Sequence, residues 1–532
     1  MAYDLVDIKA PILKGRMLRL VARLSETPLI GRIVVAEMLR NTGIKRMRKE
    51  NIEVVEEPIT HWDVNIETPW NIGEQVIGEV PRGQIAKAYH IGDADPTEVV
   101  SDALARLKAD EEEAGGIHPM VYVFQESAMA EAAASSQRYQ DGKPLGPLDG
   151  VPMVIKDVVD TAGVPTCSGT GFVGDIQGSA ESDGAVVAKL RAAGAVILGK
   201  SISHELGMGV FGINPNHGTV RNPVNQSRMS GGSSSGSAAA VGAGFVPLAY
   251  GTDGGGSIRI PSSLCGVLGL KTTHGRISGD GGSGLCPSVG QSGPIASELE
   301  DLICGLAMMS GPHSESDRTQ PRLDLSNVGD LDLSQIKIGI YRPWFEHADD
   351  EVVKACKEGL DALLKAGAEL VEIEIPDLDK VRLAHLTTIS REMLSSQSSW
   401  FDSKRRQYGG DIRVSLAMAK GLNDSDDVIA RSFRHNIVNH TMGLFDNVDL
   451  IITPTTGCTA PPIPKGAEVN GLSDLATLSA LMRFMHIPNL TGQPAITIPV
   501  GSDNAGLPIG LHLMARPWEE VLLLRCAGVL QD

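Results

Sequence analysis

The sequence predicts an α/β protein built as one large domain, and three observations carry that reading. Helix-period and strand-like apolar segments alternate from about residue 95 to the end. No internal repeat and no low-complexity linker divides the chain. Glycine makes up 60 of the 532 residues, about 11% against a usual share of roughly 7%. These glycines have no Gly-X-Y period and lie between apolar runs such as AVILGK and FVPLAYG, which excludes collagen and disorder. They must serve backbone geometry.

In chain order, residues 1–90 read as a helical N-terminal extension closed by a Pro- and Trp-containing linker, EEPITHWDVNIETPW, and residues 91–532 as the main domain. PTEVVSDALARLKADEEEA predicts a helix, VYVFQ a strand, and ESAMAEAAASSQRY a helix. GVPMVIKDVVD is a β-branched run that reads as a buried strand with Lys156 set inside it. AVVAKLRAAGAVILGK predicts a helix closed by Gly194 and a strand directly after it. The stretch from Met229 to Arg276 is Gly- and Ser-rich yet regularly apolar. NVDLIITPTT, PAITIPVG and a final helix, WEEVLLLRCAGVLQ, repeat the α/β pattern.

The net charge of −18 excludes a protein whose whole surface grips nucleic acid, and no nucleic-acid partner is expected. The first fifty residues run against the rest: eleven Lys or Arg and five Asp or Glu give +6, leaving −18 − 6 = −24 elsewhere. We read this segment as a solvated helical extension packed on the body, with membrane-surface contact as the subordinate reading. Seven scattered cysteines without a CxxC pair fit a reducing, cytoplasmic setting. No signal peptide is expected, since Arg19 and Arg23 break MLRLVARL.

Three motif matches fail on physical grounds. GAVILGKS (194–201) fits the phosphate-loop pattern, but its intervening Ala-Val-Ile-Leu wants burial as a strand, not exposure as an anion-binding turn. GTGFVG (169–174) has no helix pattern after it. GSSSG (232–236) fits a nucleophile elbow centred on Ser234, yet a polar loop, not a buried strand, precedes it.

The chemistry concentrates in two serine clusters among glycines, separated by a helix and a strand. In Asp253-Gly254-Gly255-Gly256-Ser257, three successive glycines free the backbone to turn N–H groups toward one point beside a hydroxyl. That is what an oxyanion site requires. A serine nucleophile also needs a base, and no histidine sits tellingly near either cluster; His274 is nearest, with a structural role more in keeping. Lys156 is the better candidate, because desolvation disfavours its ammonium. Taken alone, the strand does not separate that reading from a strand-end lysine reaching solvent.

GVPMVIKD, GGSSSGSAAA and TDGGGSIRIPSS, in this order and spacing, resemble the amidase signature family of serine hydrolases. RNPVN, LKTTHGRIS, DLIITPTT and GLPIGLHLMARPWEE extend the resemblance over roughly residues 95–532. It implies a mixed, twisted sheet wrapped by helices, and a triad of Lys156, Ser233 on a cis peptide bond, and Ser257 as nucleophile. It further implies oxyanion donors at Gly254, Gly255, Gly256 and Ser257. Asp253 and Arg259 would brace the loop and Ser234 would hydrogen-bond near Lys156. Ser235 stands where a glycine is common, Gly254 where a larger residue is frequent, and Thr272 and His274 where Pro and Tyr are common. The implied activity is cleavage of the C–N bond of small-molecule amides, aryl or alkyl, with carbamates or esters sharing the same electrophile. It needs no cofactor and no metal. The rival is the family's transamidating branch, which works on misacylated tRNA with partner chains. A homodimer is compatible with all of this.

Overall fold

The computed structural model describes residues 3–8, 10–50, 55, 66 and 68–531, so most of the linker read at 56–70 lies outside the described residues. Thirteen strands follow in chain order among them: β1 (Leu13–Lys14), β2 (Met120–Val123), β3 (Pro152–Lys156), β4 (Val196–Ser201), β5 (Leu248–Asp253), β6 (Leu268–Lys271), β7 (Gln291–Ala296), β8 (Lys337–Ile340), β9 (Glu369–Glu372), β10 (Leu450–Pro454), β11 (Leu472–Ser473), β12 (Ala495–Ser502) and β13 (Pro508–Ala515). Eleven form one sheet in the order β2-β4-β3-β5-β7-β6-β12-β13-β10-β8-β9, while β1 and β11 pair with each other. The sheet is mixed: β3 runs parallel to β4 and β5, and β8 to β9 and β10, whereas β5, β7, β6, β12 and β13 alternate in direction.

Helices cover both faces. On β3, Met153 and Ile155 pack into a cluster with Leu190, Leu302 and Leu523, whereas Val154 packs with Ala128 and Ala239 on the other side. Burial on both faces explains why the parallel core strands read as continuous apolar runs without alternation. Side chains alternate along a strand, so Lys156 takes the face of Val154 at the carboxyl end of β3. The helix Ser235–Gly242 covers that face. Only small side chains fit there: a Cβ on Gly236 would fall 2.1 Å from the Pro119 carbonyl oxygen.

The rejected motifs are ordinary structure. GAVILGKS contributes the fully buried β4, and no strand leads into Ser234. A five-residue helix, Val173–Gln177, does follow GTGFVG where none was expected.

The N-terminal segment is docked on the body. Leu18 and Ala22, on the helix Gly15–Ser25, pack against Val414. Leu39, Ile44 and Met47 join a cluster with Leu383 and Phe433. Each of the buried Leu, Ile and Met side chains contributes roughly 1.5–3 kcal/mol. Arg48 pairs with Asp426, and Arg413 of the body with Glu26. Among the described residues no helix is long and apolar enough to cross a membrane.

Candidate active site

The site forms beyond the carboxyl ends of the parallel neighbours β3 and β5. Their register sets Ile155 opposite Tyr250, so Lys156 lies beside the last residues of β5. Its Nζ sits 2.8 Å from Thr252 Oγ1, 3.2 Å from the Thr252 carbonyl oxygen and 2.9 Å from Ser233 Oγ. The side chain is fully buried. Burial pushes the ammonium down to about 7, against an opposing pull from Asp253. Ser233 follows a cis peptide bond from Gly232. Ser234 Oγ donates to the Thr252 carbonyl (3.1 Å) and accepts from its N–H (3.2 Å), bracing the residue that holds Lys156.

The Asp253–Ser257 loop is fixed from behind. Burial by itself would raise the Asp253 carboxyl; the Arg259 guanidinium, helped by Lys271 and Asn489, holds it well below the usual carboxylate range. Arg259 grips it through two 2.9 Å bonds, donates to Asn489 Oδ1 at 2.6 Å, and lies 3.0 Å from His512 Nε2. Asp253 Oδ1 also accepts from the Gly256 N–H at 2.6 Å. This departs from the expected set of four oxyanion donors: the Gly256 N–H is already committed to a carboxylate. Among the described residues, the N–H groups of Gly254, Gly255 and Ser257 have no such intramolecular acceptor. Gly256 has φ +105°, in the left-handed region that favours glycine.

Two cavities meet at Ser257. One, of about 320 Å³, is lined by Lys156, Ser233, Gly254 and Ser257, and by loop residues such as Ser278, Ser283 and Cys286. The other, of about 240 Å³, is lined by Gly255 and Ser257, by apolar body residues including Leu386, Ile389 and Met482, and by Ile8, Pro11, Leu13, Val21 and Met38 of the N-terminal segment. Lys156, Ser233 and Ser257 therefore share one cavity wall. The structure joins Lys156 to Ser233 by a hydrogen bond but does not so join Ser233 to Ser257, whose carbonyl oxygen accepts from the Ser234 N–H at 3.0 Å. Such contacts often tighten only when substrate binds.

The family model described as Amidase matches residues 98–524. The chain belongs to the amidase family. It is 37% identical to the fatty acid amide hydrolase of Medicago truncatula, over 99% of this chain and 94% of that protein. It is 34% identical to one component of the glutamyl-tRNA(Gln) amidotransferase of Chloroflexus aurantiacus, over 84% of this chain and 94% of that one. In structure it resembles the peptide amidase of Stenotrophomonas maltophilia, with TM-score 0.72 and 25% identity, over 85% of this chain and 96% of that chain. The mixed eleven-stranded sheet inside its helices is the amidase signature fold, and the activity of the amidase is hydrolysis of amide C–N bonds.

Sequence reasoning missed several residues of this site. Thr252 stands directly before Asp253 within the TDGGGS motif, which was the available signal; its place beside Lys156 comes only from the pairing of β5 with β3. His385, buried on the helix Leu378–Ser396, sits with Nε2 2.7 Å from the Gly254 carbonyl oxygen; 131 residues separate the two, and nothing local marks it. His274, the nearest histidine in sequence, instead faces the Pro287 carbonyl. The N-terminal segment, which carries no motif that suggests chemistry, supplies a wall of the apolar cavity.

Proposed function

We propose that the amidase cleaves N-acyl amides with a long aliphatic acyl chain, through an acyl-enzyme on Ser257. The observation that carries this is the apolar cavity running from the N-terminal segment to Ser257, where it meets a second, more polar cavity. The acyl chain lies in the first and the amine in the second. The alignment with a fatty acid amide hydrolase over nearly the whole chain, N-terminal segment included, supports the same reading over a transamidating role.

In this mechanism neutral Lys156 donates its two hydrogens to the Thr252 carbonyl and hydroxyl oxygens, which leaves its lone pair for the Ser233 hydroxyl. Ser233 passes its proton to Lys156 and takes one from Ser257, whose oxygen bonds to the carbonyl carbon. The N–H groups of Gly254, Gly255 and Ser257 hold the oxyanion, each important donor contributing about 3–4 kcal/mol in a dry site. The proton returns through Ser233 to the nitrogen as the C–N bond breaks. Water then repeats the sequence, and the acid leaves. Carbamates and esters present the same carbonyl and fall within reach of this chemistry.

A membrane surface is the source of substrate that best fits the outer face. Leu29 and Ile33 are 77% and 72% exposed, Ile12, Met17 and Leu20 are exposed beside them in sequence, and Arg16, Arg19, Arg23 and Arg32 are interspersed. Apolar side chains among cations suit an anionic lipid interface. Pelleting with anionic but not neutral vesicles, lost on Leu29→Glu/Ile33→Glu, is the expected behaviour; no pelleting refutes it.

The decisive test of the function is a series of p-nitroanilides from acetyl to hexadecanoyl, without ATP or partner proteins, together with a fluorophosphonate probe. kcat/KM should rise with chain length, the adduct should map to Ser257, and Ser257→Ala should be inert. A preference for acetyl refutes the acyl assignment, and an adduct on Ser234 refutes the nucleophile.

A further inference from the structure

His385 touches both the Asp253–Ser257 loop and the apolar cavity. Its Nε2 lies 2.7 Å from the Gly254 carbonyl oxygen, and a carbonyl only accepts, so Nε2 carries the hydrogen. Burial pushes the ring down to about 4, which leaves one neutral tautomer near neutrality. The ring packs edge-on against His486 at 4.9 Å. The loop lies directly on it: a Cβ on Gly255 would fall 2.8 Å from His385 Cε1 and 2.9 Å from Met482 Cε. His385, Met482 and His486 also line the apolar cavity.

The peptide between Gly254 and Gly255 is trans, so its C=O and N–H point in opposite directions within one plane. Holding the carbonyl at His385 therefore fixes the direction of the Gly255 N–H, one of the donors left free at the oxyanion site. We infer that His385 is a positioning residue that couples the acyl cavity to the oxyanion loop, so that a chain seated in the cavity clamps the ring and with it the Gly255 N–H. This rests on the proposed function, since it takes Ser257 as nucleophile and the apolar cavity as the acyl site. Binding energy from the far end of the chain is then used in the transition state, and a longer acyl group raises kcat as well as lowering KM.

The test uses the full chain with acetyl and dodecanoyl p-nitroanilides. His385→Phe keeps a ring but no donor; His385→Gln carries an amide N–H at about the reach of Nε2. His385→Phe should lower kcat for the dodecanoyl substrate by tenfold or more with KM within about threefold, and should bring the ratio of dodecanoyl to acetyl kcat down toward one. His385→Gln should recover most of both. If His385→Phe does not fold, His385→Asn, too short to reach the Gly254 carbonyl, replaces it against Gln. Wild-type kcat in the Phe variant, an effect confined to KM, or a Gln variant no better than Phe or Asn overturns the inference. Turnover surviving in Ser257→Ala, or a wild-type chain inert toward the dodecanoyl substrate, overturns the underlying reading as well. An inert Ser257→Ala beside an unaffected His385→Phe overturns the coupling alone.

Discussion

The burial of Lys156 leads to a prediction with two independent readouts. If the neutral amine is the base, kcat/KM follows its deprotonated fraction. With the ammonium at about 7, that fraction is about one in eleven at pH 6 and ten in eleven at pH 8, so activity should rise about tenfold between them. Stability should follow the same group. For a lysine lowered from 10.5 to about 7, the unfolded chain binds the extra proton between these values, so folding carries the full penalty below pH 7 and loses it as pH approaches 10.5. From pH 7 to pH 9 the wild type should therefore gain about 2 kcal/mol relative to Lys156→Met, whose side chain does not titrate. Lys156→Met itself should lose activity by about 10²–10⁴-fold. Initial rates on a p-nitroanilide from pH 5.5 to 9, and denaturant midpoints of both chains at pH 7, 8 and 9, give the two curves. An activity profile flat across pH 6–8, or a stability difference that stays constant or shrinks as pH rises, would refute the neutral-lysine argument.

Three further outcomes are expected. Arg259→Met leaves the Asp253 carboxylate buried without its cation and should cost about 3–5 kcal/mol, read as a lowered unfolding midpoint; an unchanged midpoint would mean the pair does not hold the loop. Met38→Trp fills the apolar cavity from the N-terminal side and should raise KM for dodecanoyl p-nitroanilide about tenfold while sparing the acetyl substrate, and equal effects on both would dissociate that segment from the acyl site. Burial, reinforced by the Asp411 carboxylate, pushes Glu205 up to about 8, so its ionisation penalty builds as pH rises from 4.5 to 8; Glu205→Gln should be more stable than wild type at pH 8 by a few kcal/mol and indistinguishable from it near pH 4.5. Thermal unfolding at the two pH values decides that case.

The features legible in the sequence were those with a local cause. Strand runs such as MVIK and AVILGK, the helix closed at Gly194, and the glycines around Ser257 follow from periodicity and backbone freedom within a few residues. Eighteen of the 60 glycines lie between Gly231 and Glu300, the stretch that carries Ser233, Ser257 and the loop between the two cavities. A lysine inside an apolar strand was visible as a candidate base, but the strand alone left it undecided between burial and solvent. Tertiary structure decided that question by setting β5 beside β3, so that Thr252 and Ser233 surround the amine. The same folding step committed the Gly256 N–H to Asp253, brought His385 to the Gly254 carbonyl across 131 residues, and turned the N-terminal segment into a cavity wall. None of these has a local signature, because each is a contact between distant segments whose own sequences are satisfied equally well by an ordinary helix or turn.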